Sequence, residues 1–153
     1  MLKLPDKCQR CDMMESSKHL FLDCPFAQTV WHLSPLGLNM SMLQSEDFLD
    51  CWNSIDKDLG SLDPSGNSVQ MVVFLLWRLW KNRNDMIFNQ NTRSESQTVA
   101  KGLEDFNEHQ STSINPLLTT HKVSKINPPL DIGDFELSSG LSRIGRRLFL
   151  KEI

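Results

Sequence analysis

The sequence predicts a mainly α-helical protein in which a small cysteine- and histidine-containing segment is followed by a few packed helices. Three of the four cysteines fall within the first 24 residues. Apolar residues then recur at helical spacing in several separate segments. The stretches between and after these segments are rich in Ser, Asn, Asp and Pro, which predicts loops and a disordered or poorly packed C-terminal tail.

The charge of the chain bears on its partners. The formal net charge of −3 disfavours strong non-specific binding to nucleic acid, which depends on Lys and Arg side chains that neutralise phosphates. Basic residues cluster at Arg78, Lys81 and Arg83, and again at Arg143, Arg146 and Arg147. Such clusters are typical of a solvated helix face or tail, and less often contact a phosphate backbone.

No segment of the sequence resembles a secretory signal or a membrane span. The most apolar stretch, 69–80, is shorter than the roughly 20 residues that a membrane-spanning helix needs. We therefore expect a soluble intracellular protein with no membrane partner. In a reducing compartment, closely spaced cysteines are more often metal ligands than disulfides.

The N-terminal segment has the spacing of a metal site. Cys8, Cys11, His19 and Cys24 form the pattern C-x2-C-x7-H-x4-C. Thiolate and imidazole groups are the ligands that zinc prefers, and four of them complete a tetrahedron. These residues therefore predict one structural Zn²⁺ site with no open position for catalysis. Cys51, next to Trp52 in an amphipathic stretch, is interpreted as a buried thiol outside the site.

Helices are expected at four places after the last ligand. Pro25 is suited to the first position of a helix whose apolar face contains Phe26, Ala27, Val30 and Trp31. A second helix is predicted from Glu46 to about Lys57 with Ser45 as its cap, and a third is predicted to run to about Asn89 with Ser68 as its cap. Core packing is the favoured role of Trp77 and Trp80. A fourth helix is predicted from about Ser94 to Gln110, before a flexible linker over 111–129.

The N-terminal motif resembles a known family. Cys8-Gln-Arg-Cys11, Glu15, His19-Leu-Phe-Leu-Asp-Cys24-Pro-Phe-Ala27 and Val30-Trp31 are similar to the zinc-binding domain that follows the reverse transcriptase in plant non-LTR (LINE-type) retrotransposons. Leu76-Trp77-Arg78-Leu79-Trp80-Lys81-Asn82-Arg83-Asn84-Asp85-Met86-Ile87-Phe88-Asn89 resembles the helix that joins this domain to a ribonuclease H domain in the same elements. The resemblance covers roughly the first 90 residues and implies that His19 and Cys24 belong to the zinc site.

A third, weaker similarity lies near the C-terminus. Lys125-Ile126-Asn127 and the segment 139–145 resemble the first two strands of that ribonuclease H domain. The family places an Asp-Gly after the Lys-x-Asn, and its Asp binds a catalytic metal, but Pro128-Pro129 stand there in this chain. Asp131 and Asp134 fit no position of the motif, and two-metal hydrolysis needs several carboxylates. We therefore expect no enzymatic activity and no small-molecule substrate.

The predicted organisation has three parts. Residues 1–90 form the reverse-transcriptase-type zinc-binding domain with its linker helix, 91–110 form a further helix, and 111–153 form a linker and a truncated ribonuclease H-like start that is poorly ordered. The family resemblance implies a non-catalytic remnant of a retrotransposon polyprotein that binds single-stranded RNA or DNA, or a reverse transcriptase or ribonuclease H domain. The candidate nucleic-acid contacts are Lys7, Gln9, Arg10, Lys18 and the neighbouring Met13. The alternative is a structural or protein-interaction module in which zinc only stabilises the fold.

Overall fold

The computed structural model describes the backbone of residues 6–114 and the side chains of residues 6–112. It confirms a mainly helical fold in which a cysteine and histidine cluster precedes packed helices. The chain divides into two compact units, Met1–Phe106 and Asn107–Ile153, and the packing described below belongs to the first. Of the segment 111–153 predicted to be poorly ordered, residues 111–114 are helical, and the rest, including Asp131, Asp134 and the arginines at 143–147, lies outside the described residues.

Four α-helices and two short helical turns make up the described part of the chain. A π-helical turn covers His19–Asp23, and a 3-10 turn covers Met40–Met42. The α-helices are α1 (Pro25–Leu33), α2 (Phe48–Leu62), α3 (Asn67–Asn89) and α4 (Glu95–Ile114). No described helix is both long and apolar enough to cross a membrane.

The π-helical turn is the central element of the first unit. It packs against α1, α3 and the 3-10 turn, and its Phe21 and Leu22 are almost completely buried. Trp31 of α1 is also fully buried, and its Nε1 donates a hydrogen bond of 2.7 Å to the carbonyl oxygen of Phe21. This bond satisfies a buried indole donor and fixes α1 against the turn.

Helix α1 forms as the sequence predicts. It begins at Pro25, and its predicted apolar face of Phe26, Ala27, Val30 and Trp31 is buried. The first turn of a helix has N–H groups without intrahelical partners, so a proline there removes no hydrogen bond. The position of Pro25 therefore fixes the start of α1 directly after Cys24.

The predicted bounds of α2 are wrong at both ends. The helix begins at Phe48 because Asp47, and not Ser45, caps it, accepting hydrogen bonds from the N–H groups of Leu49 and Asp50. It continues to Leu62, since Leu59 is buried in the core and Gly60 does not interrupt the hydrogen bonding. The connection between α2 and the next helix is therefore only the four residues 63–66.

Helix α3 runs from Asn67 to Asn89, close to its predicted bounds, but its N-cap position is Gly66 and not Ser68. Ser68 does not cap the helix; its N–H and Oγ donate hydrogen bonds of 2.8 and 2.7 Å to the carboxylate of Asp63. Asp63 also accepts hydrogen bonds from the N–H and Oγ of Ser65. These bonds lower the pKa of Asp63 to about 2, with the Ser65 hydroxyl as the largest cause. A carboxylate at the positive end of α3 thus fixes the turn between the two helices.

The buried face of α3 includes two polar side chains, Arg78 and Asn82. Its buried residues are Val69, Val72, Leu75, Leu76, Arg78, Leu79 and Asn82. Trp77 and Trp80 are only half-buried and stack on each other, with ring centroids 5.0 Å apart. The core-packing role predicted for these two tryptophans therefore holds only in part.

Helix α4 packs on this polar side of α3. Both Arg78 and Asp105 are buried, and the guanidinium donates two hydrogen bonds to the carboxylate, one of them 2.6 Å long. Gly102 allows the close approach of the helices, because a Cβ there would lie 2.7 Å from Leu75 Cδ2. Helix α4 is described as far as Ile114, beyond the predicted Gln110.

Candidate metal centre

The C-x2-C pair lies in a tight, hydrogen-bonded loop. Lys7 and Met14 form an antiparallel bridge, and the N–H of Cys8 donates a hydrogen bond of 2.8 Å to the carbonyl of Met13. Asp12 has a φ of +60°, a left-handed conformation that Asp tolerates better than most residues. This conformation turns the chain back immediately after Cys11, so that both thiols lie on one side of the loop.

The π-helical turn supplies the other two donor groups. The hydroxyl of Ser16 accepts a hydrogen bond of 3.0 Å from the N–H of His19, which fixes the start of the turn. The N–H of Cys24 then donates to the carbonyl of His19, five residues earlier, over 2.8 Å. This wide turn holds the imidazole and the third thiol at opposite ends of one short element.

The structure brings the four predicted ligands together. Their donor atoms all lie within 4.8 Å of one another. Cys8 Sγ and Cys24 Sγ are 3.9 Å apart, and Cys11 Sγ lies 3.2 Å from His19 Nε2. A tetrahedral zinc ion with ordinary bond lengths would place sulfurs about 3.8 Å apart and a sulfur about 3.6 Å from the nitrogen. The arrangement is therefore close to that of a four-coordinate metal site, and the cluster could hold one metal ion.

Burial separates this cluster from solvent. The exposed fractions of Cys8, Cys24 and His19 are 4%, 3% and 9%, and Cys11 is partly exposed. Burial raises the pKa of the Cys24 thiol to about 12, whereas the N–H groups of Phe26 and Ala27 at the start of α1 act in the opposite direction. A buried thiolate without a cation is unfavourable, and a bound metal ion would reverse this preference by displacing the proton.

Cys51 does not belong to the cluster. It is 1% exposed, and its Sγ donates a hydrogen bond of 3.4 Å to the carbonyl of Ser45. Burial raises the pKa of this thiol. Its predicted role as a buried thiol outside the metal site is confirmed.

The residues proposed for nucleic-acid contact are in different environments. Lys7 and Gln9 are exposed on the C-x2-C loop, as are Met13 and Met14. Lys18 lies 3.3 Å from Asp23 in an ion pair. The guanidinium Cζ of Arg10 lies 3.6 Å from the ring centroid of Phe26. Only part of the predicted set therefore presents free polar groups to solvent.

The basic cluster on α3 is not a solvated face. Arg78 is buried with Asp105, and Arg83 donates two hydrogen bonds to Glu15, one of them 2.8 Å long, across 68 residues of sequence. Side-chain exposure of Arg83 and Glu15 is only 14% and 11%. The expectation of a solvated helix face is therefore wrong for both arginines. Neither acidic partner could have been selected from sequence, since many Asp and Glu residues were available.

The described region has a more negative formal charge than the whole chain. Residues 6–112 contain nine Lys and Arg side chains against 15 Asp and Glu side chains, a formal charge of −6. Five of the nine cations form ion pairs. The described surface therefore offers few free cations to a polyanion.

Comparisons with family models, curated proteins and solved structures find no match to this chain. The cluster is therefore defined by its own geometry and donor chemistry.

Proposed function

We propose that the protein is a zinc-stabilised helical module in which Cys8, Cys11, His19 and Cys24 bind one structural Zn²⁺. The observation that carries this proposal is the convergence of four soft or borderline donor atoms within 4.8 Å of one another. Three thiolates and an imidazole favour zinc over hard cations such as Mg²⁺ or Ca²⁺, which prefer oxygen ligands.

The site is structural and not catalytic in this proposal. A catalytic zinc site keeps one coordination position open for water or substrate, whereas four protein ligands fill a tetrahedron. The bound ion would cross-link the C-x2-C loop to the π-helical turn. Because that turn packs against α1 and α3, the ligands hold together the centre of the first unit.

The family resemblance supports an origin in a retrotransposon polyprotein. The two matched motifs are joined by the ion pair of Glu15, from the zinc-binding motif, with Arg83, from the linker-helix motif. Their contact is consistent with the two motifs forming a single folding unit. A reverse transcriptase or ribonuclease H domain is then the proposed macromolecular partner. Co-purification of the tagged full chain with such domains tests this choice of partner. The variant for comparison is Trp77→Ala, which truncates an incompletely buried residue.

Metal analysis of the purified full chain tests the zinc proposal. We expect about one zinc per chain by inductively coupled plasma mass spectrometry, lost in Cys8→Ser and in His19→Ala. Cys51→Ser is the matched control, since it removes a buried thiol outside the cluster and should keep its zinc. Chelation should lower the melting temperature of the wild type, because metal binding and folding are coupled. Wild-type protein that takes up no zinc after refolding with the ion would refute the proposal.

Binding of single-stranded nucleic acid is the second candidate function. The exposure of Lys7, Gln9 and the apolar Met13 and Met14 on one loop favours it, since small zinc modules contact single strands through such groups. The formal charge of −6 opposes it. We therefore expect weak binding at low salt, measured by fluorescence anisotropy with a labelled RNA and lost in Lys7→Glu. Absence of binding in a low-salt buffer would eliminate this function.

A further inference from the structure

Arg10 packs against the first turn of α1, the helix that begins directly after Cys24. It lies between Cys8 and Cys11 in sequence, and its guanidinium covers the ring of Phe26 at 3.6 Å from the centroid. Phe26 is buried and follows Cys24 by two residues. The cation is thus placed over the beginning of α1, where the third thiol is located, and does not extend into solvent with the rest of the loop.

Within residues 6–112, no carboxylate forms an ion pair with this guanidinium. Its Nη2 is buried and has no hydrogen-bond partner in the part of the chain that the structure describes. Lys18, the other lysine or arginine between the first and last ligands, is paired with Asp23. Glu95 is near enough to favour the charged guanidinium but forms no ion pair with it. A half-buried cation with a free donor is costly unless negative charge lies nearby.

The negative charge of the proposed metal site explains why a cation is placed here. Three thiolates, a neutral imidazole and Zn²⁺ carry a net charge of −1, in surroundings that are largely shielded from water. A buried charge is stabilised by an opposite charge held within a few ångströms. We propose that Arg10 is the counter-cation of the zinc–thiolate cluster and that it strengthens zinc retention by compensating this net charge. The inference rests on the proposed zinc site.

In this role Arg10 is a positioning residue and not a ligand. Its stack on Phe26 would hold the positive charge beside the thiolates, so that they bind the ion with less mutual repulsion. Outer-shell partners of metal ligands commonly change metal affinity by about 10- to 100-fold. Because Arg10 is only half-buried, we expect an effect near the lower end of this range.

The test separates charge from packing with two substitutions in the full chain. Arg10→Met keeps an apolar side chain against Phe26 and removes the charge, whereas Arg10→Lys keeps the charge and changes the planar stack. Lys7→Met is the matched control, since it removes an exposed cation from the same loop. The zinc Kd is measured by competition with a chromophoric chelator, and the absorption spectrum of the cobalt-substituted protein reports whether the four ligands stay in place.

We expect the zinc Kd of Arg10→Met to rise about tenfold, with Arg10→Lys recovering most of the loss and Lys7→Met within about twofold of the wild type. The cobalt spectra of all variants should match the wild type. Equal Kd values for Arg10→Met and Lys7→Met, or an Arg10→Lys variant as weak as Arg10→Met, would overturn the inference. An altered cobalt spectrum in Arg10→Met would also overturn it, because ligand loss and not charge would then explain the weaker binding. A wild type that binds no zinc would instead refute the metal site itself.

Discussion

The ion pair between Glu15 and Arg83 predicts that the ligand loop and α3 stabilise each other. Glu15 lies between the second and third ligands, and Arg83 lies in the C-terminal half of α3. Replacing Glu15 by Gln keeps the shape of the side chain but removes its charge. Arg83 then remains largely buried without its anion, and the loop loses its charged contact with the helix.

The expected loss of stability follows from the solvent exposure of the two side chains. Exposed ion pairs contribute about 0–1 kcal/mol, whereas breaking a fully buried pair costs about 3–5 kcal/mol. Side-chain exposures of 14% and 11% place this pair nearer the buried limit, so we expect Glu15→Gln to cost about 2–3 kcal/mol. In a unit of this size, each kcal/mol lowers the melting temperature by about 4–8 °C.

A double-mutant cycle measures the coupling directly. Glu15→Gln, Arg83→Met and the double variant are unfolded by urea in the presence of excess zinc. The coupling free energy should be about 2 kcal/mol, since the double variant leaves no uncompensated charge. Lys101→Met, which breaks an exposed i,i+3 pair with Glu104, is the control and should change stability by less than about 0.5 kcal/mol. Additive effects of the two single substitutions would refute the reasoning.

Two further predictions concern buried and capping carboxylates. Asp105→Asn should lower the free energy of unfolding by about 3–5 kcal/mol, because it leaves the charge of Arg78 uncompensated between α3 and α4; a loss below 1 kcal/mol in urea unfolding would contradict this. The pKa of Asp63 is lowered from 3.8 to about 2, so its contribution to stability should be present above pH 3.8 and lost as the pH falls through about 2. Carboxyl-carbon NMR should give that midpoint, and Ser65→Ala should move it upward. A wild-type midpoint near 3.8 would show that the hydrogen bonds from Ser65 and Ser68 to this carboxylate are not formed.

Local chemistry accounts for the features that were predicted correctly. Pro25 marks the start of α1, the apolar spacing after it defines the buried face, and the ligand spacing identifies the four donor groups. Each of these three features depends on residues that are close together in the sequence. A further local signal was overlooked: Ser94 and Gln97 form a reciprocal capping box at the start of α4, and the pattern Ser-x-x-Gln is readable from sequence.

The start of α2 could not be predicted because more than one nearby side chain can cap a helix there. Ser45 and Asp47 are both good capping residues, and Asp47 caps the helix because this lets Phe48 and Cys51 enter the core. The π-helical turn at His19–Asp23 has no sequence signal of its own. It forms where Phe21, Leu22 and the ligand residues must all face inward, a requirement that only tertiary packing imposes.

The sequence by itself therefore determined the helical class, the beginning of α1 and the identity of the four candidate ligands, because each follows from the chemistry or spacing of neighbouring residues. Only the tertiary structure decided which charges are buried and paired. The same side chain has three different partners: Arg78 pairs with a carboxylate on α4, Arg83 pairs with a carboxylate between the second and third ligands, and Arg10 stacks on the ring of Phe26. The electrostatic energy of each depends on distance and burial across long stretches of chain, and neither quantity is contained in the local sequence.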